Sequence, residues 1–103
     1  MKLPPLNALR AFDAVVRHGG VRAAAEALFV TPGAVTQQLR ALEEHFGLAL
    51  VERSGRGVVA TEAGRALHAG TSRHLRAIAA ASEGVRSQHA RVRITAAHGV
   101  ATR

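Results

Sequence analysis

The chain of 103 residues has no cysteine and only one lysine, Lys2. Without cysteine there can be no disulfide, no thiolate zinc site and no cysteine nucleophile, a pattern that fits a reducing compartment. With lysine confined to position 2, a P-loop lysine is impossible. Apolar residues make up 48% of the chain. Charges nevertheless interrupt every run that approaches the ~18 apolar residues of a membrane span. Pro4 and Pro5 stand where a signal peptide needs its apolar stretch. The expected location is therefore the cytoplasm of a prokaryote. Acidic residues are few, 7 against 14 Lys and Arg, which leaves a formal net charge of +7. Thirteen of the basic residues are arginine. Clustered guanidinium groups displace counterions from phosphate, so the balance points to a polyanion, with nucleic acid ahead of a membrane surface.

Signals for catalysis are missing as well. The six histidines (18, 45, 68, 74, 89 and 98) form no H-E-x-x-H and no i, i+4 pair. Glu43 and Glu44 beside His45 read as a solvated helix face, not as an acid–base pair. The run Gly55-Arg56-Gly57-Val58-Val59-Ala60 has the spelling G-x-G-x-x-A of a dinucleotide fingerprint. That motif must form the strand-to-helix turn of a βαβ unit, and here strand formers stand where a helix should begin. No convergent site for catalysis, cofactor or metal is expected. The length suits one domain, and at this size burial is fractional, so a partner can add stability.

What is present is mainly helical. Pro4 and Pro5 set a helix start, followed by Leu6, Leu9, Phe12 and Val16 at helical spacing. His18, Gly19 and Gly20 end it. Val21, Ala24, Ala25 and Leu28 mark a second, short amphipathic helix. Thr31 is a good N-cap and Pro32 suits the first helical position, so a third helix should run to about Phe46 and stop at Gly47. At 100° per residue, Val35, Leu39, Leu42 and Phe46 share one arc, and Gly33, Thr36, Gln37 and Arg40 the other. Gln38 lies nearer the core arc and is expected to pack or brace. Val51 and the pair Val58 and Val59 flank Ser54-Gly55-Arg56-Gly57, which reads as a short hairpin with a basic tip. Thr61 then caps a long helix, roughly residues 62–87. Its seam of Leu67, Thr71, Leu75 (or His74), Ile78, Ser82 and Val85 is coiled-coil-like but poor in large residues. A narrow stripe of this kind needs a partner, most simply a second copy. Gly64, Gly70 and Gly84 each cost this helix ~1 kcal/mol relative to Ala. The run Arg91-Val92-Arg93-Ile94-Thr95-Ala96-Ala97 reads as the start of a strand. With no partner strand following it, the chain is expected to stop just inside a second domain.

The helix pair within GVRAAAEALFVTPGAVTQQLRALEEHF, residues 20–46, carries the most specific chemistry. A helix–turn–helix lays its second helix in the major groove, with the N-terminal residues at the base edges. Thr36 can bond a base edge or touch a thymine methyl, Gln37 can pair with adenine, and Arg40 can reach guanine or phosphate. The bland alternative is the solvated face of a small bundle. A hairpin wing carrying Arg53 and Arg56 beside this pair can lie over phosphates or enter the minor groove.

The segments LRAFDAVVRHGG, AAAEALFVTPGAVTQQLRALEEHFG and LALVERSGRGVVATEAG together resemble the N-terminal region of LysR-type transcriptional regulators. The run TPGAVTQQ is similar to the branch that contains glycine-cleavage regulators. The likeness covers residues 3–87, and RVRITAAHGV resembles the first strand of the family's effector-binding domain. It implies a winged helix–turn–helix over 1–61, a linker helix over 62–87 that dimerises, and the start of a truncated effector domain over 88–103. It implies binding of double-stranded promoter DNA at an interrupted palindrome by a homodimer, with a tetramer open for a full-length form. A small co-inducer would act only through the effector domain, which this chain essentially lacks. By resemblance, Thr31, Pro32, Gly33, Thr36 and Gln37 face DNA, Arg53 is the wing's phosphate-contacting arginine, and Arg56 is its tip.

Three departures stand out. Gly20-Val21-Arg22 replaces the family's frequent Ser-Phe-Thr, which removes a serine cap and offers Arg22 as a new phosphate contact. Pro32-Gly33 replaces a common Gln-Pro, which removes a base contact. Val51 replaces a common phenylalanine and suggests slimmer packing under the wing. A reading from another class is an interaction module that pairs with a full-length relative into inactive heterodimers.

Overall fold

The computed structural model describes the backbone of residues 1–102 and the side chains of residues 1–89. The order of elements is α1 (Leu6–His18), α2 (Val21–Leu28), α3 (Pro32–Phe46), β1 (Val51–Ser54), β2 (Gly57–Ala60) and α4 (Glu62–Thr102). The mainly helical winged helix–turn–helix with a long following helix is as the sequence indicates. Two units are distinguished, Met1–Ser72 and the remainder of α4 from Arg73.

The helix ends follow from local chemistry. Gly19 takes the left-handed conformation (φ 78°) and returns its N–H to the Val15 carbonyl at 2.8 Å. Gly47 closes α3 in the same way, with φ 72° and a bond to Glu43 O at 2.8 Å. At the start of α3, Ala34 N–H donates to Thr31 Oγ1 at 3.1 Å, and Pro32 occupies the first turn, where its missing N–H costs nothing. Helix α2 has no side-chain cap at Gly20. Its C-terminus is closed by Phe29 at φ 58°, with Val30 N–H bonded to Ala25 O and Phe29 N–H to Glu26 O. That is the Schellman arrangement, with phenylalanine in the place that glycine usually fills.

Helices α1, α2 and α3 pack against one another. Phe12, Val15, Val35, Leu42 and Leu50 are the largest fully buried side chains. The buried face of α1 centres on Ala8, Leu9, Phe12 and Val15. Leu6, expected on that face, is 53% exposed because it opens the helix, and Phe46 is 41% exposed at the far end of α3. A face loses its packing partners at helix ends, which periodicity alone does not register. Under the wing it is Leu50 that fills the core, while Val51 is half-buried.

The strands pair antiparallel with Val51 opposite Ala60 and Ser54 opposite Gly57. The loop between them is Gly55 and Arg56, with Gly55 at φ 61°. Two-residue hairpin loops favour positive φ because it matches the strand twist, and glycine adopts it without strain. Thr61 closes the base of the hairpin. Its N–H bonds Leu50 O at 3.0 Å, its hydroxyl donates to Ala49 O at 2.8 Å, and the same oxygen accepts from Gly64 N–H at 3.1 Å.

Helix α4 continues to Thr102, well beyond residue 87, and the strand expected over residues 91–97 is helical instead. An alternating run forms a strand only when a neighbouring strand takes up its hydrogen bonds. A helix satisfies them within itself, and Ala90, Ala96 and Ala97 favour that solution. No helix among the described residues is long and apolar enough to cross a membrane.

Candidate nucleic-acid interface

Helix α3 is split lengthwise by burial. Val35, Leu39 and Leu42 are buried. Of the other arc, Thr31, Pro32, Gly33, Gln37 and Arg40 are exposed and Thr36 is half-buried. Gln38 is half-buried too. It lines a depression of about 180 Å³ with Asn7, Arg10, Leu28 and Val30. The first turn of α3 carries Gly33, where an added Cβ would meet nothing within 4 Å. That turn therefore faces open space on its outer side.

Arg22 is exposed in the first turn of α2, next to the uncapped Gly20. Free N–H groups at a helix start carry partial positive charge, to which this guanidinium adds. The wing joins the same region. Val58 N–H donates to Gly19 O at 2.9 Å, so the start of β2, next to the tip, is tied to the α1–α2 turn. A Cβ at Gly57 would meet Gly19 O at 2.7 Å, so the contact requires glycine. Arg53 and Arg56 are exposed on the hairpin. The ion pairs found among the described residues involve Arg17, His68 and Arg86, and none includes Arg22, Arg40, Arg53 or Arg56. Among the described residues, these four guanidinium groups thus have no carboxylate within ion-pair distance.

Of the seam on α4, Leu67, Thr71 and Leu75 are half-buried, Ile78 is 48% and Val85 68% exposed, and Ser82 is exposed. Thr71 Oγ1 donates to Leu67 O at 2.8 Å and Ser82 Oγ to Ile78 O at 2.9 Å. Both hydroxyls are thereby satisfied within their own helix, which lowers the cost of covering them with an apolar surface.

The sequence reading missed several side chains that join elements distant in sequence. Glu43, read as solvated, turns its Oε2 to Leu50 N–H at 2.8 Å and Val51 N–H at 3.4 Å, bracing α3 against the start of the wing. Glu44 is exposed, as expected. Asp13 is only 9% exposed. Its Oδ1 takes Ser72 Oγ at 2.8 Å and His68 Nε2 at 2.9 Å, with Arg17 3.7 Å from Oδ2. A signal for Asp13 was available: it is the one acidic residue inside the apolar run of α1. Its hydrogen-bond partners His68 and Ser72 lie 55 and 59 residues away, and no local pattern announces them.

Residues 6–65 match the model of the bacterial regulatory helix-turn-helix protein, lysR family. The glycine cleavage system transcriptional activator of Escherichia coli K12 is 52% identical over 64 residues, covering 62% of this chain and 21% of that protein. Among solved structures, the CbnR_DBD–DNA complex superposes with a TM-score of 0.68 at 34% identity, covering 82% of this chain and 97% of that one. The BenM_DBD/benA site 1 DNA complex gives 0.62 at 27%, covering 85% and 98%. The chain spans about a fifth of the length of the curated relatives it matches. On the match over residues 6–65 and the winged helix–turn–helix that contains them, this chain belongs to the lysR family of bacterial regulatory helix-turn-helix proteins.

Proposed function

We propose that this chain is the DNA-reading part of a dimeric transcriptional regulator that binds an interrupted palindrome in a promoter. The observation that carries the reading is the lengthwise division of α3. One arc is locked into the core, and the other presents Gln37 and Arg40 with Thr36 at its margin. Gln37 reads adenine, Arg40 takes guanine or phosphate, and Thr36 meets a base edge or methyl. Thr31, Pro32 and Gly33 bring the helix start close to the duplex. Arg22, Arg53 and Arg56 hold phosphates, fixing register without adding base information. The likeness to two proteins solved with DNA supports this assignment.

The seam from Leu67 to Val85 pairs two copies, since a single chain leaves Ile78 and Val85 uncovered. Residues 1–61 read, residues 62–87 pair, and residues from 88 lead toward an effector domain. A small co-inducer is assigned to that domain and to no residue of the reading head. The working compartment is the cytoplasm.

The test is selection of duplexes from a random pool by the 103-residue chain, followed by gel shift at several salt concentrations. A two-fold-symmetric consensus, bound more tightly than random duplex with affinity falling steeply in salt, is the expected result. Absence of any shift at low salt would overturn it in favour of a module that pairs with a full-length relative.

A further inference from the structure

The attachment of the first turns of α4 to α1 is polar. No large apolar side chain of α4 is buried among the described residues: Leu67 and Leu75 are half-buried, and Ile78 and Val85 are exposed. Among the described residues, the one buried side chain that α4 contributes is Ser72, 7% exposed, and it points to a carboxylate. Ser72 and His68 stand four residues apart, on one face of the helix, and both meet the same oxygen, Oδ1 of Asp13. A carboxylate only accepts, so the Ser72 hydroxyl and His68 Nε2–H both donate to it. The His68 ring also meets Phe12 edge-on, with centroids 6.1 Å apart. Apolar contact is non-directional and tolerates a helix turning about its axis. Two hydrogen bonds to one buried oxygen do not: a turn of one residue, about 100°, removes both.

Resting on the function proposed above, we propose that Asp13, His68 and Ser72 are positioning residues for DNA recognition. They fix the rotational setting of the first turns of α4 against α1. In the paired protein this setting decides which separation of half-sites both reading heads can engage together. They touch no base and no phosphate. Their effect is on spacing specificity, not on recognition of a half-site.

The experiment uses the 103-residue chain and the duplex that it selects from a random pool. Spacers between the half-sites are varied in single base pairs, and a lone half-site duplex serves as reference. Asp13→Leu/His68→Phe/Ser72→Ala replaces the cluster by apolar groups of similar bulk and leaves no buried charge unpaired. Wild type should lose about tenfold in affinity when the spacer changes by about 5 bp, half a helical turn. The triple variant should bind the lone half-site within about twofold of wild type, while its spacer preference shrinks to about threefold or less. His68→Gln, which keeps a donor, should retain the wild-type profile.

An unchanged spacer profile in the triple variant, with helical content and melting intact, would overturn the proposal. If the triple variant melts below the assay temperature, Ser72→Ala carries the same comparison, and an unchanged profile there overturns it equally. Failure of wild type to select any two-fold site would instead count against the proposed function.

Discussion

The Gly64 Cα packs directly on the Leu50 carbonyl, so closely that a Cβ at position 64 would collide with the oxygen and also crowd Ala60 Cβ. Backbone cannot yield there without shifting the base of the wing, because Leu50 O also accepts from Thr61 N–H. Gly64→Ala should therefore lower stability by ~1–3 kcal/mol, the range for overpacking, despite the ~1 kcal/mol that alanine gains in a helix interior. Gly70, which has nothing within 4 Å of a Cβ position, is the control. Gly70→Ala should raise stability by ~0.5–1 kcal/mol. Thermal melting of the two variants should move in opposite directions, and a common direction would contradict the packing described.

Glu43 braces the wing through one oxygen. Glu43→Ala leaves the Leu50 and Val51 N–H groups without that acceptor, and should cost ~1–3 kcal/mol. Glu43→Gln keeps an acceptor and should lose less than half of that. Urea midpoints of the two variants check the difference. Equal losses would mean that charge, not the hydrogen bond, holds the strand.

Phe29 is 94% exposed and sits at φ 58°. A left-handed conformation costs an L-residue ~1–2 kcal/mol, and almost no burial offsets it here. Phe29→Gly relieves the strain but adds ~0.5–1 kcal/mol of unfolded-state entropy. The net change should lie between zero and a slight stabilisation. A clear fall in the urea midpoint would show that the ring makes a contact worth more than the strain.

Gln37 and Arg53 should behave differently on DNA. Gln37→Ala is expected to relax preference at one base position, at a cost of ~1–3 kcal/mol there. Arg53→Ala should weaken all duplexes alike and flatten the salt dependence by about one phosphate. Competition gel shifts with selected and random duplexes separate the two. Equal losses on both duplexes from both variants would sink the assigned roles.

Arg22 offers a parallel case on α2. Arg22→Thr should weaken binding to selected and random duplexes by the same factor, with the salt slope reduced by about one. An unchanged slope would remove Arg22 from the phosphate-contacting set.

The helix boundaries were legible because proline, threonine and glycine act locally: Thr31 and Pro32 start α3, and Gly47 ends it. The hairpin was legible for the same reason, through Gly55. Gly64, Gly70 and Gly84 looked alike in the sequence, yet of these three only Gly64 meets another part of the chain. That contact, the Glu43 brace and the Asp13 cluster all join residues distant in sequence, which periodicity does not encode. Phe29 hid for another reason. Hydrogen bonds to Ala25 and Glu26 determine its backbone, and nothing in its side chain favours the result. The strand reading of residues 91–97 rested on alternation, and the continuing helix supplied the hydrogen bonds instead.

The ring of bonds at Thr61 has one more consequence. Thr61 grips Ala49 and Leu50, Glu43 holds Val51 and Val58 N–H holds Gly19 O, so both strands of the hairpin are fastened to the body and its tip projects beyond them. Residues 54–56 are therefore the exchangeable part of the wing: tips of other length or charge should be transplantable between relatives without re-engineering the helices. The boundary of that tip is glycine at 57, where Gly19 O leaves no room for a side chain.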